Sequence, residues 1–404
     1  MADVAGQDAA QAGQPTPPRP DRALEGAYQY ALTVVDRLLG ELEAFPHTTE
    51  RGRWRVSAHG RWTAGFWIGL VWLRYLERPT AGLRAEADAW LARLAPRQHD
   101  TTTHDMGFLF EPSFVRGYLI TGEPAMRDVA LQAARSLATR YHGCGGYIQA
   151  WDESEDPAHR GRTIVDTVMN LPLLLWAAEV TGEAHLRDIA LRTAQTTADH
   201  HVRADGSTYH VVDFDPDTGG ATRYGTHQGY SDNSCWSRGQ AWALYGFCRL
   251  SMLTGEARWL ETSRRLADFF LAHLPADGLP YWDLLLPSTE NEPRDSAAAA
   301  IAASGLLDLA AQVPDAHAGA HYRTHAERIL EVLTATCLTR GRSAEQGVLL
   351  HGTVDRPRDS AVDVSIVYGD HYFVEALTKV LRPERRHLLD AAGVFAAARG
   401  KAVA

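Results

Sequence analysis

Apolar side chains recur at helical spacing along almost the whole chain after residue 22. The first such stretch spans residues 24–45, and a tryptophan-rich one follows at 61–76. Because residues three or four apart share one face of a helix, each stretch predicts an amphipathic helix. Strand candidates are few and short, and the clearest is TYHVVDF at 208–214. The pattern therefore predicts an all-α protein.

A motif of the form TGE occurs three times, starting at Thr121, Thr181 and Thr254. In each copy one helical pattern ends before the glycine and another begins after the glutamate. Glycine is favoured just beyond a helix C-terminus, and an acidic residue at the next N-terminus. The copies are 60 and 73 residues apart, which indicates a repeat of two helices and about six helical hairpins. Such hairpins can form an open superhelix, or they can close into an (α/α)6 barrel that makes residues 23–404 a single domain.

An (α/α)6 barrel places the loops that lead into its inner helices around one funnel. Polar and aromatic segments occur near the start of every second predicted helix, at 61–67, 103–110, 162–170, 226–242, 279–296 and 365–373. The densest is THQGYSDNSCWSRGQAW at 226–242, in which a helix is predicted to begin at Trp236. A single Arg–Trp pair is typical of local structure. The whole cluster instead favours a site for a hydroxylated sugar ring, which stacks on indoles and accepts from forked donors.

The composition is that of an ordinary globular protein, with 45% hydrophobic and 22% charged residues in 404. A formal net charge of −10 argues against binding to nucleic acid or to an anionic membrane surface. No apolar run is long enough to cross a membrane. The four cysteines lack metal-binding or disulfide spacing, which favours a reducing, cytoplasmic location. Residues 1–22 lack the pattern of a signal peptide and are expected to form a disordered tail. The Ala- and Arg-rich composition is consistent with a bacterial source.

Two aspartates are candidates for acid–base chemistry. Asp166 lies in the apolar sequence TIVDTVMNLPLLL at the start of a predicted inner helix. It either interacts with the helix dipole or has a pKa that desolvation raises, which suits a proton donor. Asp105 either caps the next helix or faces Asp166 across the funnel, and a pair of carboxylates is the usual equipment for cleaving a glycosidic bond. The residues alone favour neither interpretation.

Three further residues are carried by loops. His210 and His227 flank a loop rich in Gly and Asp, and Trp151 opens an acidic loop. Each is also compatible with an ordinary loop or core position. The histidines lack HExxH or a comparable spacing, so no metal site is predicted.

Several segments together resemble the unsaturated glucuronyl hydrolases of glycoside hydrolase family 88. The principal ones are HDMGFLF at 104–110, TIVDTVMNLPLLLWA at 163–177, HQGYSDNSCWSRGQAW at 227–242 and YGDHYFVEAL at 368–377. They occur in the family's order and cover nearly the whole chain after the tail. The resemblance implies an (α/α)6 barrel and a reaction on a 4,5-unsaturated uronic acid, which a polysaccharide lyase leaves at the non-reducing end of an oligosaccharide. The enzyme is expected to hydrate the C4=C5 bond of this sugar, after which the rest of the oligosaccharide is released.

The same resemblance assigns roles to individual residues. Asp166 matches the catalytic acid and base, and Asp105 matches the second essential carboxylate. The positions that match substrate contacts are His104, Trp62, Trp151, His210, His227, Gln228, Trp236, Arg238 and Trp242. Trp67 is a rival to Trp62 that spacing does not exclude, and Trp151 is expected to stack on the second sugar. No cofactor is implied, because the vinyl ether itself accepts a proton readily.

The nearest alternative is the related unsaturated rhamnogalacturonyl hydrolase, which acts on pectin fragments, although the HDMGF and WSRGQAW motifs favour the glucuronyl enzymes. A sugar isomerase on the same barrel would leave Asp166 without a role. A non-catalytic helical-repeat protein would spread its polar and aromatic clusters along one face. His371 stands where the family pattern has an aromatic residue, which is expected to affect the aglycone side. Arg356 and Arg358 are interpreted as ordinary loop charges rather than sulfate ligands.

Overall fold

The computed structural model describes residues 20–392 and residue 395. Within this part the main elements are thirteen α-helices. They are α1 (Pro20–Glu41), α2 (Ala64–Glu77), α3 (Ala81–Leu94), α4 (Met106–Phe110), α5 (Arg116–Thr121), α6 (Pro124–Ala138), α7 (Leu171–Thr181), α8 (Ala184–His201), α9 (Ser237–Thr254), α10 (Ala257–Ala272), α11 (Ser296–Gln312), α12 (Ala316–Thr336) and α13 (Val367–Leu381). A π-helical turn, Glu111–Val115, joins α4 to α5, so these two helices form one element.

The helices alternate between an outer and an inner ring. The outer ring contains α1, α3, α6, α8, α10 and α12, and each of them precedes one inner element in the chain. The inner elements α2, α4–α5, α7, α9, α11 and α13 contact one another in this order, and α13 also contacts α2. This last contact closes the ring, so the hairpins form an (α/α)6 barrel rather than an open superhelix. The predicted all-α fold is confirmed.

The inner helices are buried on nearly all sides, because the outer ring and the neighbouring inner helices both pack against them. In α11 every residue from Ser296 to Leu309 is buried. Small side chains let α11 approach α9 closely, and a Cβ atom on Gly305 would lie 2.6 Å from Leu244 Cδ2. The outer helices bury only one face, as α10 does, which is the pattern of a helix between a core and solvent.

The TGE motifs end inner helices as predicted. Gly122, Gly182 and Gly255 follow α5, α7 and α9 with φ angles of 73°, 77° and 74°, a left-handed conformation that favours glycine. The glutamate after each glycine is the N-cap residue of the next outer helix. The helix predicted from Trp236 is also confirmed, since α9 begins at Ser237 with Trp236 as its N-cap residue.

Seven short strands lie in the loops of the described part: β1 (Phe45–Glu50), β2 (Arg53–Ser57), β3 (Tyr141–His142), β4 (Tyr147–Ile148), β5 (Arg162–Ile164), β6 (Val211–Phe214) and β7 (Ala221–Gly225). Strands β1–β2 and β3–β4 form antiparallel pairs, and β5–β6–β7 form an antiparallel sheet. Strand β6 confirms the second half of the strand predicted at 208–214. The three-stranded sheet is important because β5 leads directly into the turn that carries Asp166.

Two boundaries near the N-terminus differ from the prediction. Helix α1 ends at Glu41 and Phe45 begins β1, so the helix predicted for 24–45 is too long. Phe45 continues the apolar spacing of the helix because it is also buried, packed on Trp90 with ring centroids 5.0 Å apart. Helix α1 also begins at Pro20, a residue favoured in a first turn, so residues 20–22 of the predicted tail are helical. Residues 1–19 of that tail lie outside the described residues.

The described residues also bear on membranes, metals and redox state. No helix in residues 20–392 is both long and apolar enough to cross a membrane. No group of three or more His, Cys, Asp or Glu side chains in that range is arranged to hold a metal ion. The four cysteines are free thiols, and three of them are buried.

Candidate active site

The loops at the N-terminal ends of the inner helices surround one cleft. Its walls consist of Trp62, His104, Asp105, Phe108, Trp151, Ile164, Asp166, Gln228, Trp236, Arg238, Trp242 and Val354. Nine of the eleven predicted site residues line this cleft, and the other two, His210 and His227, contact its wall. The segments at 279–296 and 365–373 support the wall instead of lining it, which corrects the expectation of six lining segments.

Asp166 lies just after β5, in the 3-10 turn Val165–Met169. The pairing of β5 with β6 holds this turn, and the Val165 N–H donates to the His210 carbonyl over 2.9 Å. The Asp166 side chain is only 10% exposed, and its Oδ2 has no hydrogen-bond partner within the described chain. Burial raises the pKa of Asp166 to about 7, although its own backbone N–H and Arg238 favour the charged form. The apolar surroundings thus produce the protonatable carboxyl group that desolvation predicts.

A raised pKa alone does not distinguish Asp166. Burial also raises the pKa of Asp370 to about 7. Both oxygens of Asp370, however, accept from backbone N–H groups, those of Val348 and Leu349, at 2.9 and 2.8 Å. Asp370 also does not line the cleft. Asp166 differs because it faces the cleft and, within residues 20–392, keeps one oxygen without a partner.

Asp105 occupies the N-cap position of α4, but its side chain makes no hydrogen bond to the helix backbone. Its Oδ2 instead accepts from Thr103 Oγ1 at 2.7 Å, and its Oδ1 lies 3.3 Å from His104 Nε2. The side chain is 15% exposed and lines the cleft. Of the two interpretations of Asp105, the geometry therefore favours a carboxylate that faces the cleft over a helix cap.

His104 joins the two aspartate-bearing loops. Its Nδ1 is 2.9 Å from Thr167 Oγ1, so a hydrogen bond connects the residue before Asp105 to the residue after Asp166. Burial lowers the pKa of His104, although Asp105 acts in the opposite direction. We therefore treat His104 as a neutral side chain that fixes the position of one carboxylate relative to the other.

Asn170 makes a second connection between the same loops. Its Oδ1 accepts from the Phe108 N–H at 2.9 Å. The approach is so close that a Cβ atom on Gly107 would lie 2.4 Å from Asn170 Cα. Glycine is therefore required at position 107, in the middle of the HDMGF motif.

His210 lies behind the cleft wall, next to Asp166. Its Nδ1 accepts from the N–H groups of His227 and Gln228, both at 3.2 Å. A ring nitrogen that accepts carries no proton, so the proton of the neutral ring is on Nε2. That nitrogen is 3.8 Å from Asp166 Oδ2, and burial lowers the pKa of His210 well below its usual value. His210 therefore directs an N–H group toward Asp166, with its ring held on Trp236 at a centroid distance of 4.4 Å.

Arg238 is almost completely buried in the wall, with its guanidinium group 4.5 Å from the centre of the Trp236 ring. Nη1 donates to Asp295 Oδ2 and to the Thr353 carbonyl, both over 2.5 Å, and Nη2 donates to the Val354 carbonyl over 2.6 Å. These contacts use three of the five N–H bonds of the group. The Nε–H bond and one Nη2–H bond have no acceptor among the described residues. N–H bonds of a guanidinium group are strong donors to carboxylates.

Aromatic side chains supply the flat surfaces of the cleft. Trp62 packs on Phe108 with ring centroids 5.5 Å apart, and Phe108 packs on Trp242 at 4.9 Å. Trp151 is partly exposed on the loop before β5. Trp67, the rival to Trp62, is fully buried in the hydrophobic core. Of the two, only Trp62 is placed to contact a ligand.

The rim of the cleft is formed where the loop before α9 meets the loop before α13. Gln228 Nε2 donates to the Val354 carbonyl at 2.7 Å. Arg358 donates to the His227 carbonyl at 2.8 Å and to Asp355 Oδ2 at 2.9 Å. Burial and the neighbouring Arg358 lower the pKa of His227 to about 4. Arg358 is thus paired within the protein, as expected of an ordinary loop charge.

Comparison with known proteins identifies the family. The family model described as Glycosyl Hydrolase Family 88 matches residues 41–372. The chain belongs to glycosyl hydrolase family 88. It is 36% identical to the unsaturated glucuronyl hydrolase of Bacillus sp. (strain GL1), over 87% of this chain and 95% of that protein. It is 34% identical to the unsaturated chondroitin disaccharide hydrolase of Streptococcus pyogenes serotype M1, over 83% of this chain and 86% of that protein.

Solved structures of family 88 relatives share the barrel. The crystal structure of the Bacillus sp. GL1 enzyme matches with a TM-score of 0.86 at 36% identity, covering 89% of this chain and 97% of that chain. The structure of an unsaturated glucuronyl hydrolase specific for heparin matches with a TM-score of 0.84 at 31% identity, covering 90% and 98%. The family 88 chain is therefore a glycosidase, and the predicted family, fold and enzyme class are confirmed.

The expectation that His371 affects the aglycone side of this family 88 enzyme is wrong. His371 is buried inside the barrel and does not line the cleft. Its Nδ1 donates to the Phe66 carbonyl at 3.1 Å, and its Nε2 lies 3.4 Å from Glu375 Oε2. Arg116 Nη2 donates to the same carboxylate at 2.6 Å. His371 thus belongs to a buried ionic cluster between inner helices, which its place in an apolar sequence did not reveal.

Some residues of the family 88 site were not singled out from the sequence. Ile164 and Phe108 line the cleft, and their positions beside Asp166 and within HDMGFLF were the available signals. Val354 lines the cleft from a loop that is distant in sequence, and no local pattern marks it. Asp295 pairs with Arg238, but the sequence DSAAAA signals only a helix start.

Proposed function

We propose that this enzyme removes a 4,5-unsaturated uronic acid from the non-reducing end of an oligosaccharide by hydrating its C4=C5 bond. The observation that carries the proposal is the carboxyl group of Asp166, which is buried in a tryptophan-lined cleft and has a pKa of about 7. Within residues 20–392, its Oδ2 has no hydrogen-bond partner. Such a group is partly protonated near neutral pH and is well matched to donate its proton. Related structures support the substrate class, since one is named with dGlcA-Glc-Rha-Glc and another is complexed with dGlcA-GalNAc6S.

The proposed reaction begins when Asp166 donates its proton to C4 of the unsaturated sugar. The electron pair of the C4=C5 bond forms the C4–H bond, and the ring oxygen stabilises the cation that develops at C5. Water attacks C5 and gives a proton to the Asp166 carboxylate, which restores the starting enzyme. The C5 hemiketal then opens to a ketone, and the hemiacetal left at C1 becomes an aldehyde as the rest of the sugar leaves as an alcohol. One water molecule is consumed in total.

Asp105 and His210 complete the proposed acid site. Asp105 supplies negative charge on a separate loop, which stabilises the positive charge at C5 because attraction is strong in a desolvated cleft. His210 directs its Nε2–H toward Asp166 from 3.8 Å, a separation that suits a water molecule held by both groups. His104 lines the cleft and hydrogen-bonds to the turn of Asp166, which supports a role in fixing Asp105 in addition to any contact with the sugar.

The remaining wall residues suit the binding of a uronate sugar. The two remaining N–H bonds of Arg238 suit the carboxylate of the sugar, and the carboxamide of Gln228 suits a hydroxyl group. Trp151 and His227 stand together at the rim, with ring centroids 4.8 Å apart, and fit the second sugar. Apolar faces for the unsaturated ring are offered by Trp62, Trp236 and Trp242.

The proposal is tested by the ultraviolet absorbance of the conjugated C4=C5 bond. The protein is incubated with unsaturated disaccharides derived from chondroitin, hyaluronan, heparin and rhamnogalacturonan. We expect the absorbance to fall with at least one of them, and Asp166→Asn to reduce the rate by about 10²–10⁴-fold. The matched control is Asp315→Asn, which alters an exposed helix cap and should leave the rate unchanged. Persistence of the absorbance with every substrate, or full activity of Asp166→Asn, contradicts the proposal.

We further propose that the protein is bacterial and cytoplasmic. The relatives that it resembles come from species of Bacillus, Streptococcus and Formosa. The four cysteines of the chain are free thiols, which suits a reducing compartment. Recovery of the protein from the extracellular fraction of its host would contradict the location.

A further inference from the structure

The acid site contains an electrostatic conflict. Asp166 must be protonated to donate, yet the buried cation Arg238 lines the same cleft and favours the charged form of Asp166. A guanidinium group stays positively charged across the whole working pH range. In a low-dielectric wall an uncompensated cation would hold a neighbouring carboxyl group in the ionised state. A negative charge on the other side of Arg238 is the simplest way to reduce this effect.

Asp295 supplies such a charge. It is fully buried and pairs with Arg238, with Oδ2 and Nη1 2.5 Å apart. Its Oδ1 is the acceptor for backbone N–H groups of Ala297, Ala298 and Thr353, at 3.1, 3.4 and 3.4 Å. Burial raises the pKa of Asp295 above its usual value, although Arg238 and the N–H groups of Thr353 and Ala298 favour the charged form. All four of these partners are donors, which is what an ionised carboxylate requires, so we assign Asp295 as charged.

We infer that Asp295 is a positioning residue of the acid site, which holds Arg238 in place and offsets its charge so that Asp166 can retain its proton near neutral pH. The inference rests on the proposed function, because that proposal gives Asp166 its role as the acid. The same contacts shape the cleft wall, since Arg238 and Gln228 both donate to the Val354 carbonyl, at 2.6 and 2.7 Å. Asp295 thereby connects the start of α11 to α9 and to the loop before α13.

The other groups around Asp166 do not remove the conflict. Asp105 favours the protonated form of Asp166, but it acts less strongly than Arg238 does. His210 approaches to 3.8 Å from the β6 side and is neutral, because burial lowers its pKa well below the usual value. The cation Arg238 is therefore the side chain that most opposes protonation of Asp166.

The other groups around Arg238 are neutral. Tyr368 lies under the guanidinium group at 5.4 Å, and burial raises the pKa of its hydroxyl group, so it carries no charge. His47 is also influenced by Arg238, and burial together with nearby arginines lowers its pKa to about 4. Tyr368 and His47 are thus uncharged, and the other two neighbours of Arg238, Asp166 and Asp295, can carry a negative charge. Only Asp295 pairs directly with the guanidinium group.

A purely structural role for Asp295 predicts a different outcome. Asp295 is the N-cap residue of α11, and loss of a cap lowers stability. A cap has no reason to change the pH at which Asp166 loses its proton. The pH dependence of the acid therefore separates the two roles.

The test uses Asp295→Asn in the full-length protein, because asparagine keeps the shape and an acceptor oxygen but removes the charge. kcat/KM is measured from pH 5 to 9 with a substrate that the native protein turns over. We expect the alkaline limb to move to lower pH, so that the ratio of activity at pH 8 to that at pH 6 falls about three- to tenfold. Because the ratio is taken within one preparation, a smaller folded fraction does not affect it.

Two further variants make the test specific. Asp295→Ser keeps a capping oxygen without a charge and should move the limb in the same direction. Asp283→Asn is the matched control: Asp283 is buried and accepts from the Tyr230 N–H at 2.9 Å, but it is not a partner of Arg238. The alkaline limb of the kcat/KM profile of this variant should not move. An unchanged ratio in both Asp295 variants, or a limb that moves to higher pH, overturns the inference.

A measurement without substrate separates this inference from the proposed function. The carboxyl carbon of Asp166 is followed by 13C NMR during a pH titration and is assigned by its loss in Asp166→Asn. Its midpoint should lie at lower pH in Asp295→Asn than in the native protein. Equal midpoints refute the role of Asp295, even if the native enzyme is active. If the titration midpoint of Asp166 shifts in Asp295→Asn but the native protein acts on none of the substrates, the proposed function is refuted instead. The electrostatic effect of Asp295 then still holds.

Discussion

Asp166→Asn should make the protein more stable at alkaline pH but not at acid pH. In the folded protein the carboxyl group loses its proton near pH 7, whereas its usual value is 3.8. The folded state therefore holds this proton more tightly than the unfolded state does. The contribution of Asp166 to stability is greatest below about pH 4 and is lost as the pH rises to about 7. An asparagine of the same shape never ionises and avoids this loss.

The size of the effect follows from the difference between the two pKa values. A difference of about 3 pH units at 1.36 kcal/mol each corresponds to about 4 kcal/mol. Solvent screening changes this little, because the side chain is only 10% exposed. With an unfolding entropy of about 2.1 cal/mol/K per residue, 4 kcal/mol corresponds to about 5 °C for a domain of this length.

The assay is thermal unfolding of the native protein and Asp166→Asn at pH 4, 6 and 8. The Tm of the variant minus that of the native protein should increase by about 5 °C over this range. Asp315→Asn is a control of opposite sign, because backbone hydrogen bonds from Ala318 and His317 lower the pKa of Asp315. That variant should be less stable than the native protein at pH 6 and 8 by the same amount, and the deficit should shrink only below about pH 4, where the carboxylate becomes protonated. If the Tm difference of Asp166→Asn does not change with pH, Asp166 is solvated in the folded state and the acid role loses its physical basis.

Three further predictions concern catalysis. kcat/KM should fall as the pH rises above about 7, because Asp166 has to be protonated, and a flat profile from pH 6 to 9 would argue against this acid. Trp151→Ala should raise KM about tenfold for a disaccharide with little change in kcat. The same variant should act normally on an unsaturated uronide with a small aglycone, and an equal loss there would show that Trp151 does not contact the second sugar. Dialysis against EDTA should leave the activity unchanged, since the proposed chemistry uses only side chains, whereas a loss that added metal restores would require a different mechanism.

Local sequence signals were sufficient to predict the helical hairpins, whereas closure of the ring was implied only by the family resemblance. The glycine and glutamate of the TGE motifs report a helix end and a helix start, and three copies were enough to count hairpins. The apolar neighbours of Asp166 likewise indicated its desolvation, because the 3-10 turn that carries it is buried as a unit. The same kind of signal failed at Phe45, since a buried strand residue continued the helical spacing of α1 by coincidence.

Contacts between distant segments could not be predicted in this way. Val354 enters the cleft only because the closed ring brings the loop before α13 against α9. The ion pair of Asp295 with Arg238 joins two inner helices, and nothing near either residue indicates it. His371 faces a buried carboxylate and not the cleft, because its orientation on α13 depends on how that helix is rotated against its neighbours.

A time course that records both ultraviolet absorbance and the released reducing-end sugar tests the central claim most directly. If Asp166 protonates C4 and water adds at C5, one double bond disappears for each sugar released, from the earliest time points onward. Asp166→Asn should slow both signals by the same factor. Attack at the anomeric carbon would instead release the sugar first and leave the absorbance on the freed unsaturated acid. That result would contradict hydration of the C4=C5 bond as the step that releases the sugar.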